Sequence, residues 1–217
     1  MAKRLSLMVS VAVAVLLSLA PSAQAQTRQF VVRNDGGSRV QFVSDAPLET
    51  ITGVTSGLSG EVSVDPANLA TVAGRVQASV ASLRTGVDLR DEHLRGESWL
   101  DAAHHPSATF EVTGVEGATA LRPNEAVNVR VRGRFTIHGV TREITTTGRV
   151  RLIPLTPELA RTPGINGDVL RIQATFTVRL TDYNVSVPLP VRLKVANDIQ
   201  VTVDLRAVAA PPPASAR

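Results

Sequence analysis

Three of the four histidines, His93, His104 and His105, stand close together among the carboxylates Asp91, Glu92 and Asp101. Imidazoles and carboxylates are the usual material of metal binding and of general acid–base catalysis. The spacing argues against both. Adjacent residues on a helix do not face one another, so Asp91-Glu92-His93 is no relay by itself. His104 and His105, as neighbours on an extended chain, point to opposite sides and do not readily share one ion. A set drawn from His93, His104 and His138 is geometrically open, which keeps a His-dependent metalloprotein or hydrolase as the rival reading. Zinc sites without Cys normally show a tighter local pair of ligands, and this chain has no Cys. It also has no Gly-x-Ser-x-Gly elbow, no His-Glu-x-x-His and no phosphate-binding Gly loop. The expectation is a protein that is not an enzyme, without catalytic residues, metal or cofactor.

The stretch that holds these residues, "TGVDLRDEHLRGESWLDAAHHPSATF", is where helical signals appear. Asp88 suits an N-cap, and Asp91 and Glu92 fall in the first turn, where the helix dipole favours acids. Gly96 would end the helix. Ser98 would cap a second short turn through Ala103, which Pro106 stops, so two short helices are expected between the strands here.

Elsewhere the chain alternates apolar and polar residues, the mark of half-buried strands. Val127, Val129, Val131, Phe135 and Ile137, with Gly133 in register, alternate with Asn128, Arg130, Arg132, Arg134 and Thr136. The pattern returns from Leu170 to Arg179 and from Ile199 to Arg206. Turn signals at Asn34–Gly37 and Asp65–Asn68 separate the runs. Gly139-Val140 reads as the centre of a type II′ hairpin turn. Long neighbouring strands with one dry face predict an all-β fold, an extended antiparallel barrel of about eight strands with a short helical insertion near 88–103. Glycines at 53–60 and Gly133 would supply the bends that closure needs. An outer-membrane barrel also alternates, but it carries aromatic girdles, and this chain has one Trp, one Tyr and five Phe.

The inner face is built from Val, Ala, Ile, Thr and few aromatics. From patterning alone, a ligand-holding lumen and a filled structural core are equally open. If the lumen is open, Val76, Ala78, Val80, Phe110, Val129, Val131, Phe135, Ile172 and Phe176 are expected to line it. Leu94, Trp99 and Leu100 reach it from the helical insertion. Arg90, His93 and Arg95 are the candidates for touching a polar or anionic headgroup. Solvation, or pairing with Asp91, Glu92 and Asp101, is the alternative role for those charges.

Residues 1–25 have the layout of a secretory leader: Lys3 and Arg4, an apolar run from Leu5 to Ala20, then Ala23-Gln24-Ala25. Cleavage after Ala25 predicts a periplasmic or secreted product with no integral membrane span. Removing Lys3 and Arg4 lowers the formal charge from +4 to about +2. No basic run interleaves with aromatics, so nucleic acid is not an expected partner. Residues 26–208 form the barrel domain in this reading, and 209–217 a disordered Pro/Ala tail.

Two motifs carry a family resemblance. Thr85-Gly86, Arg90-Asp91-Glu92-His93-Leu94, Trp99-Leu100-Asp101, Pro106 and Thr109-Phe110 form the first, and Gly133 to Thr141 the second. Together they resemble the YceI family of lipocalin-like barrels. Where that family usually reads Arg-Ser-Asp-Phe-Gly, this chain has Arg179-Leu180-Thr181-Asp182-Tyr183-Asn184. Asn can take the left-handed conformation that Gly would supply. The resemblance implies a soluble protein holding an isoprenoid-type lipid, a quinone or polyprenyl phosphate or another long-chain apolar lipid, for carriage or storage. A homodimer is compatible with it.

Overall fold

The computed structural model describes residues 26–210; residues 1–25, expected to be a leader, and residues 211–217, within the expected tail, lie outside them. Ten strands form one antiparallel sheet among these residues: β1 (Arg28–Val32), β2 (Arg39–Asp45), β3 (Thr50–Thr55), β4 (Leu58–Asp65), β5 (Asn68–Ser79), β6 (Ser107–Glu116), β7 (Ala126–Ile137), β8 (Val140–Ile153), β9 (Val169–Arg179) and β10 (Asp198–Ala209). The order β1-β4-β5-β6-β7-β8-β9-β10 closes on itself through β1 against β10. The result is an eight-position lipocalin-like barrel.

Two of those positions are broken strands. β1 and β2 both lie antiparallel to β10, at Ala207 to Ala209 and at Ile199 to Asp204 respectively. β4 and β3 follow the same path on the next position, against β1 and β2. The break between β1 and β2 is pinned by Ser38, whose hydroxyl accepts from the Arg206 N–H at 2.9 Å, and by the Asp35–Arg206 ion pair at 2.9 Å. β10 ends at Ala209, which pairs with Phe30, one residue beyond the expected limit of the domain.

The alternation is apolar inward and polar outward, opposite in sense to a membrane barrel. Arg134 pairs with Glu111 across β6 and β7, and Arg179 with Asp198 across β9 and β10. Such exposed cross-strand pairs help set register more than stability. No helix among the described residues is long and apolar enough to cross a membrane.

Glycine matters where a ring needs room. A Cβ on Gly133 would clash with the Phe110 ring, and one on Gly53 with the Phe42 ring. Next to Gly133 the register shifts between Val112 and Gly114, a bulge that bends β6. The β7–β8 hairpin departs from expectation. Ile137 pairs with Val140, so His138 and Gly139 are the central residues. Both have positive φ, 51° and 72°, which is a type I′ turn and not type II′. Asn184 takes φ 60°, ψ 20°, the left-handed geometry that Gly would otherwise supply.

One helix, α1 (Asp88–Arg95), sits between β5 and β6, after a short 3-10 turn at Val80–Ser82. Val87 occupies the N-cap with no side-chain bond, which places Asp88 one position inside the helix. Gly96 is the C-cap, as the sequence suggests. No helix follows at Ser98: residues 97–100 and 102–104 are turns, with Asp101 at φ 46°. The N–H groups of Trp99 and Asp101 both turn back to the Gly96 carbonyl, leaving no continuing helical ladder.

Candidate functional site: the barrel lumen

The barrel encloses a cavity of about 480 Å³. Its wall runs the length of the inner face. Val129 and Ile137 on β7 both line it, as do Leu170 and Val178 on β9. Each pair spans roughly 26 Å of strand, or about 20 Å along the axis at a tilt near 40°. A leaflet of bilayer is about 15 Å deep, half the hydrocarbon core, so the lumen is longer than one leaflet.

The two ends differ. At one end Leu69 and Leu121 line the cavity and are nearly fully buried, backed by Phe30, Val32 and Leu152. At the other end the wall is made by Leu83, Thr85, Arg90, His93, Val191 and Val195, all part-exposed or exposed. That end is the mouth. The aromatics are concentrated in its half: Phe42, Phe110, Phe135 and Phe176 line the cavity there with Trp99. Phe135 packs edge-on against Phe176 and Tyr183, with centroids 5.4 and 5.6 Å apart. The closed half is Val, Leu, Ala and Ile172 apart from Phe30.

The polar groups of the wall gather mostly at the mouth. Arg90 donates from Nε to the Thr85 hydroxyl at 2.9 Å and from a terminal nitrogen to Glu49 at 2.7 Å. Asp91, only 2 % exposed, accepts from the Thr85 N–H at 2.7 Å and from its hydroxyl at 2.6 Å. Burial pushes the Asp91 carboxyl upward; the Thr85 bonds and the charges of Arg95 and Arg84 outweigh that and hold it below the usual carboxylate value. Asp91 is thus a clamp that joins α1 to the strand-end loop and orients Arg90 through Thr85. Deeper in, the Thr146 hydroxyl is satisfied by the Thr175 carbonyl at 2.7 Å.

Most of the expected wall is in place. Val76, Leu94, Trp99, Leu100, Phe110, Val129, Val131, Phe135, Ile172 and Phe176 line the cavity, and so do Arg90 and His93. Three expected residues do not. Ala78 packs with the closed-half cluster beside its register partner Leu58, and its methyl ends short of the cavity. Val80 lies where the chain has left β5 for the 3-10 turn, which tucks it into the core at 2 % exposure. Arg95 donates to the Leu83 carbonyl at 3.4 Å and lends its charge to Asp91, so it serves the clamp and not the lumen.

The segment 185–195 was missed altogether. Val191 and Val195 line the mouth, and Val185 does too. Their spacing, with Val187, was the available signal, hidden by Pro188 and Pro190.

The other three histidines lie off the cavity wall. His104 pairs with Asp101 at 2.9 Å on the surface. His138 Nδ1 lies 3.1 Å from the Tyr183 carbonyl, with the His105 ring edge-on at 5.1 Å. No group of three His, Cys, Asp or Glu suited to a metal ion occurs among the described residues.

Residues 32–207 match the YceI-like domain. The chain belongs to the YceI-like family. A UPF0312 protein of Pseudomonas savastanoi pv. phaseolicola is 28% identical over 181 residues, 82% of this chain and 88% of that protein. A UPF0312 protein of Vibrio cholerae is 30% identical over 141 residues, 63% of this chain and 69% of its own length. Among solved structures, Burkholderia cenocepacia BcnA superposes with a TM-score of 0.64 at 24% identity, covering 82% of this chain and 99% of its own. A polyisoprenoid binding domain from Saccharophagus degradans gives 0.63 at 19%, covering 85% and 99%. These likenesses agree with the YceI-like barrel described above.

Proposed function

We propose that this YceI-like chain is an exported, non-catalytic binding protein that holds one long apolar lipid of isoprenoid type, a quinone or a polyprenyl phosphate, for carriage or storage. The observation that carries the reading is the lumen: about 480 Å³, apolar along its length, closed by Leu69 and Leu121, with its charged wall residues at the mouth. The polyisoprenoid binding domain of Saccharophagus degradans, which shares the fold, supports the choice of ligand class. The leader-like residues 1–25 support export.

The polarity of the wall orients the ligand. A headgroup at the closed end would be buried without partners, at a cost of several kcal/mol. At the mouth, Arg90 offers charge and His93 offers hydrogen bonds. The tail therefore enters first, and each buried methylene contributes about 0.8 kcal/mol before ordering costs.

The test is organic-solvent extraction of natively purified protein followed by mass spectrometry, alongside uptake of a fluorescent polyprenyl probe. A stoichiometric isoprenoid lipid is expected. No extracted lipid together with no probe uptake overturns the reading.

A further inference from the structure

We infer that the mouth of the lumen is a docking face for an anionic phospholipid bilayer, an inference that rests on and deepens the lipid-binding reading. Among the described residues, six large apolar side chains are exposed: Leu48, Val87, Leu89, Leu155, Leu189 and Leu193. Single exposed leucines are ordinary on a soluble surface, whereas a cluster marks an interaction site. Five of the six, all but Leu155, stand at one end of the barrel, on three segments that meet there. The Leu48 N–H donates to the Leu193 carbonyl at 2.8 Å, tying the β2–β3 loop to segment 185–195. Glu49 in that loop pairs with Arg90, which follows Leu89 on α1 and lines the cavity. The end they share is the mouth.

The segment 185–195 shows how the apolar rim continues the lumen. Val191 and Val195 line the cavity while Leu189 and Leu193 are 75 % and 56 % exposed. One short strap is thus apolar on both sides, toward the lumen and toward the outside. A lipid leaving a bilayer through this rim would pass from hydrocarbon to apolar wall with little water between.

Charge chooses the occupant. Arg192 and Lys194 flank Leu193 and are exposed. Neither is within ion-pair reach of a carboxylate among the described residues. Arg192 donates from Nε to the Val187 carbonyl at 3.1 Å, which leaves its charge without a carboxylate partner. Leucines interleaved with such cations suit an interface of acyl chains under phosphate headgroups. The exposed acids of this end, Asp45 at the start of the Leu48 loop, Asp88 and Glu92 on α1, Glu97 just after it and the Arg179-paired Asp198, all lie outside segment 185–195, which carries no acid, so contact with anionic lipid falls on that strap. The remaining outer wall is polar and charged, which limits the contact to this end.

The experiment is flotation of the mature protein with vesicles of phosphatidylethanolamine and phosphatidylglycerol, with lipid content measured in parallel by solvent extraction. The wild-type protein is expected to float. Leu193→Asp and Leu48→Asp are expected to weaken vesicle affinity about tenfold or more, with extracted lipid unchanged. Leu155→Asp, away from the mouth, should float like wild type. Replacing phosphatidylglycerol by phosphatidylcholine should weaken binding. A wild-type protein that carries lipid but does not float overturns the docking face alone. So does equal flotation of Leu193→Asp. Flotation that depends on Leu193 in a protein that yields no extractable lipid and takes up no polyprenyl probe supports docking and overturns only the lumen reading. A dimer in light scattering that Leu193→Asp dissociates, without flotation, makes this face a contact between copies and overturns the inference.

Discussion

Placing an indole in the lumen should separate a container from a filled core. Ala174 on β9 lines the cavity, next to Gly148 across the β8–β9 pairing, so two small residues leave the wall open there. In Ala174→Trp the ring would occupy the path of the tail. A buried indole covers about 200 Å² of apolar surface, and a tail excluded from that surface loses about 5 kcal/mol at ~25 cal/mol per Å². If half is recovered by the tail shifting within the lumen, about 2–3 kcal/mol is lost, which is roughly a hundredfold in affinity. The same ring forced into a well-packed core would cost about 1–3 kcal/mol of stability. In a lumen of about 480 Å³ it is accommodated and buries its own surface. The expected result is therefore weaker binding of a fluorescent polyprenyl probe with an unfolding midpoint that holds or rises. The assays are probe titration and urea unfolding of the delipidated proteins. A lowered midpoint with undiminished probe affinity would refute the reasoning, since the ring would then have met packed side chains and missed the ligand.

Three further outcomes follow from other parts of the molecule. Asp91 has its folded pKa below the ordinary value of 3.8, so its stabilising effect is present above that value and is lost as pH falls through the lower folded one. In acid denaturation, Asp91→Asn should lose stability less steeply than wild type, and at neutral pH Asp91→Ala should cost about 1–3 kcal/mol by orphaning the Thr85 N–H. Gly133→Ala should cost about 1–3 kcal/mol in urea unfolding, because its Cβ would meet the Phe110 ring and stand 2.6 Å from the Glu111 carbonyl; Gly148→Ala, whose nearest neighbour is the Gln173 carbonyl at 3.2 Å, should cost less. Loading with the polyprenyl probe should raise stability with concentration, by about 4 kcal/mol at a thousandfold excess over Kd.

The barrel was legible because period-two patterning directly encodes which side of a strand is dry. Val129, Val131, Phe135, Ile172 and Phe176 follow from that pattern alone, and each lines the cavity. The pattern does not say where a strand stops. Val80 continued the alternation of β5 on paper, but the chain turns there, and one step past the strand end it packs into the core beside the lumen and not onto its wall. Ala78 kept its face and lacked the reach. Arg95 and Arg90 could not be told apart by sequence. Both are arginines on an eight-residue helix, and only the position of the Asp91–Thr85 clamp decides which one meets the lumen. The strap at 185–195 was opaque for another reason: prolines interrupt every periodicity, so its apolar residues had no face until the mouth was seen around them.

The size of the lumen bears on why the inner wall is so poor in large residues. At about 24 cal/mol per Å³, a cavity of this volume forgoes on the order of 10 kcal/mol relative to a core filled by protein. That is comparable with the whole stability of an ordinary domain. Filling it needs no new fold: Ile for Val131, Leu for Ala174 or a side chain at Gly148 would each project inward from a strand already in place. The aromatics that line the cavity are held at the mouth half, two of them seated against Gly53 and Gly133, where they narrow the entrance and leave the aliphatic depth open. A core meant only to be a core has no use for that gradient. A container for a long tail does, because dispersion contacts along the aliphatic half replace those the protein withholds, and the narrowed aromatic half sets which tails reach it.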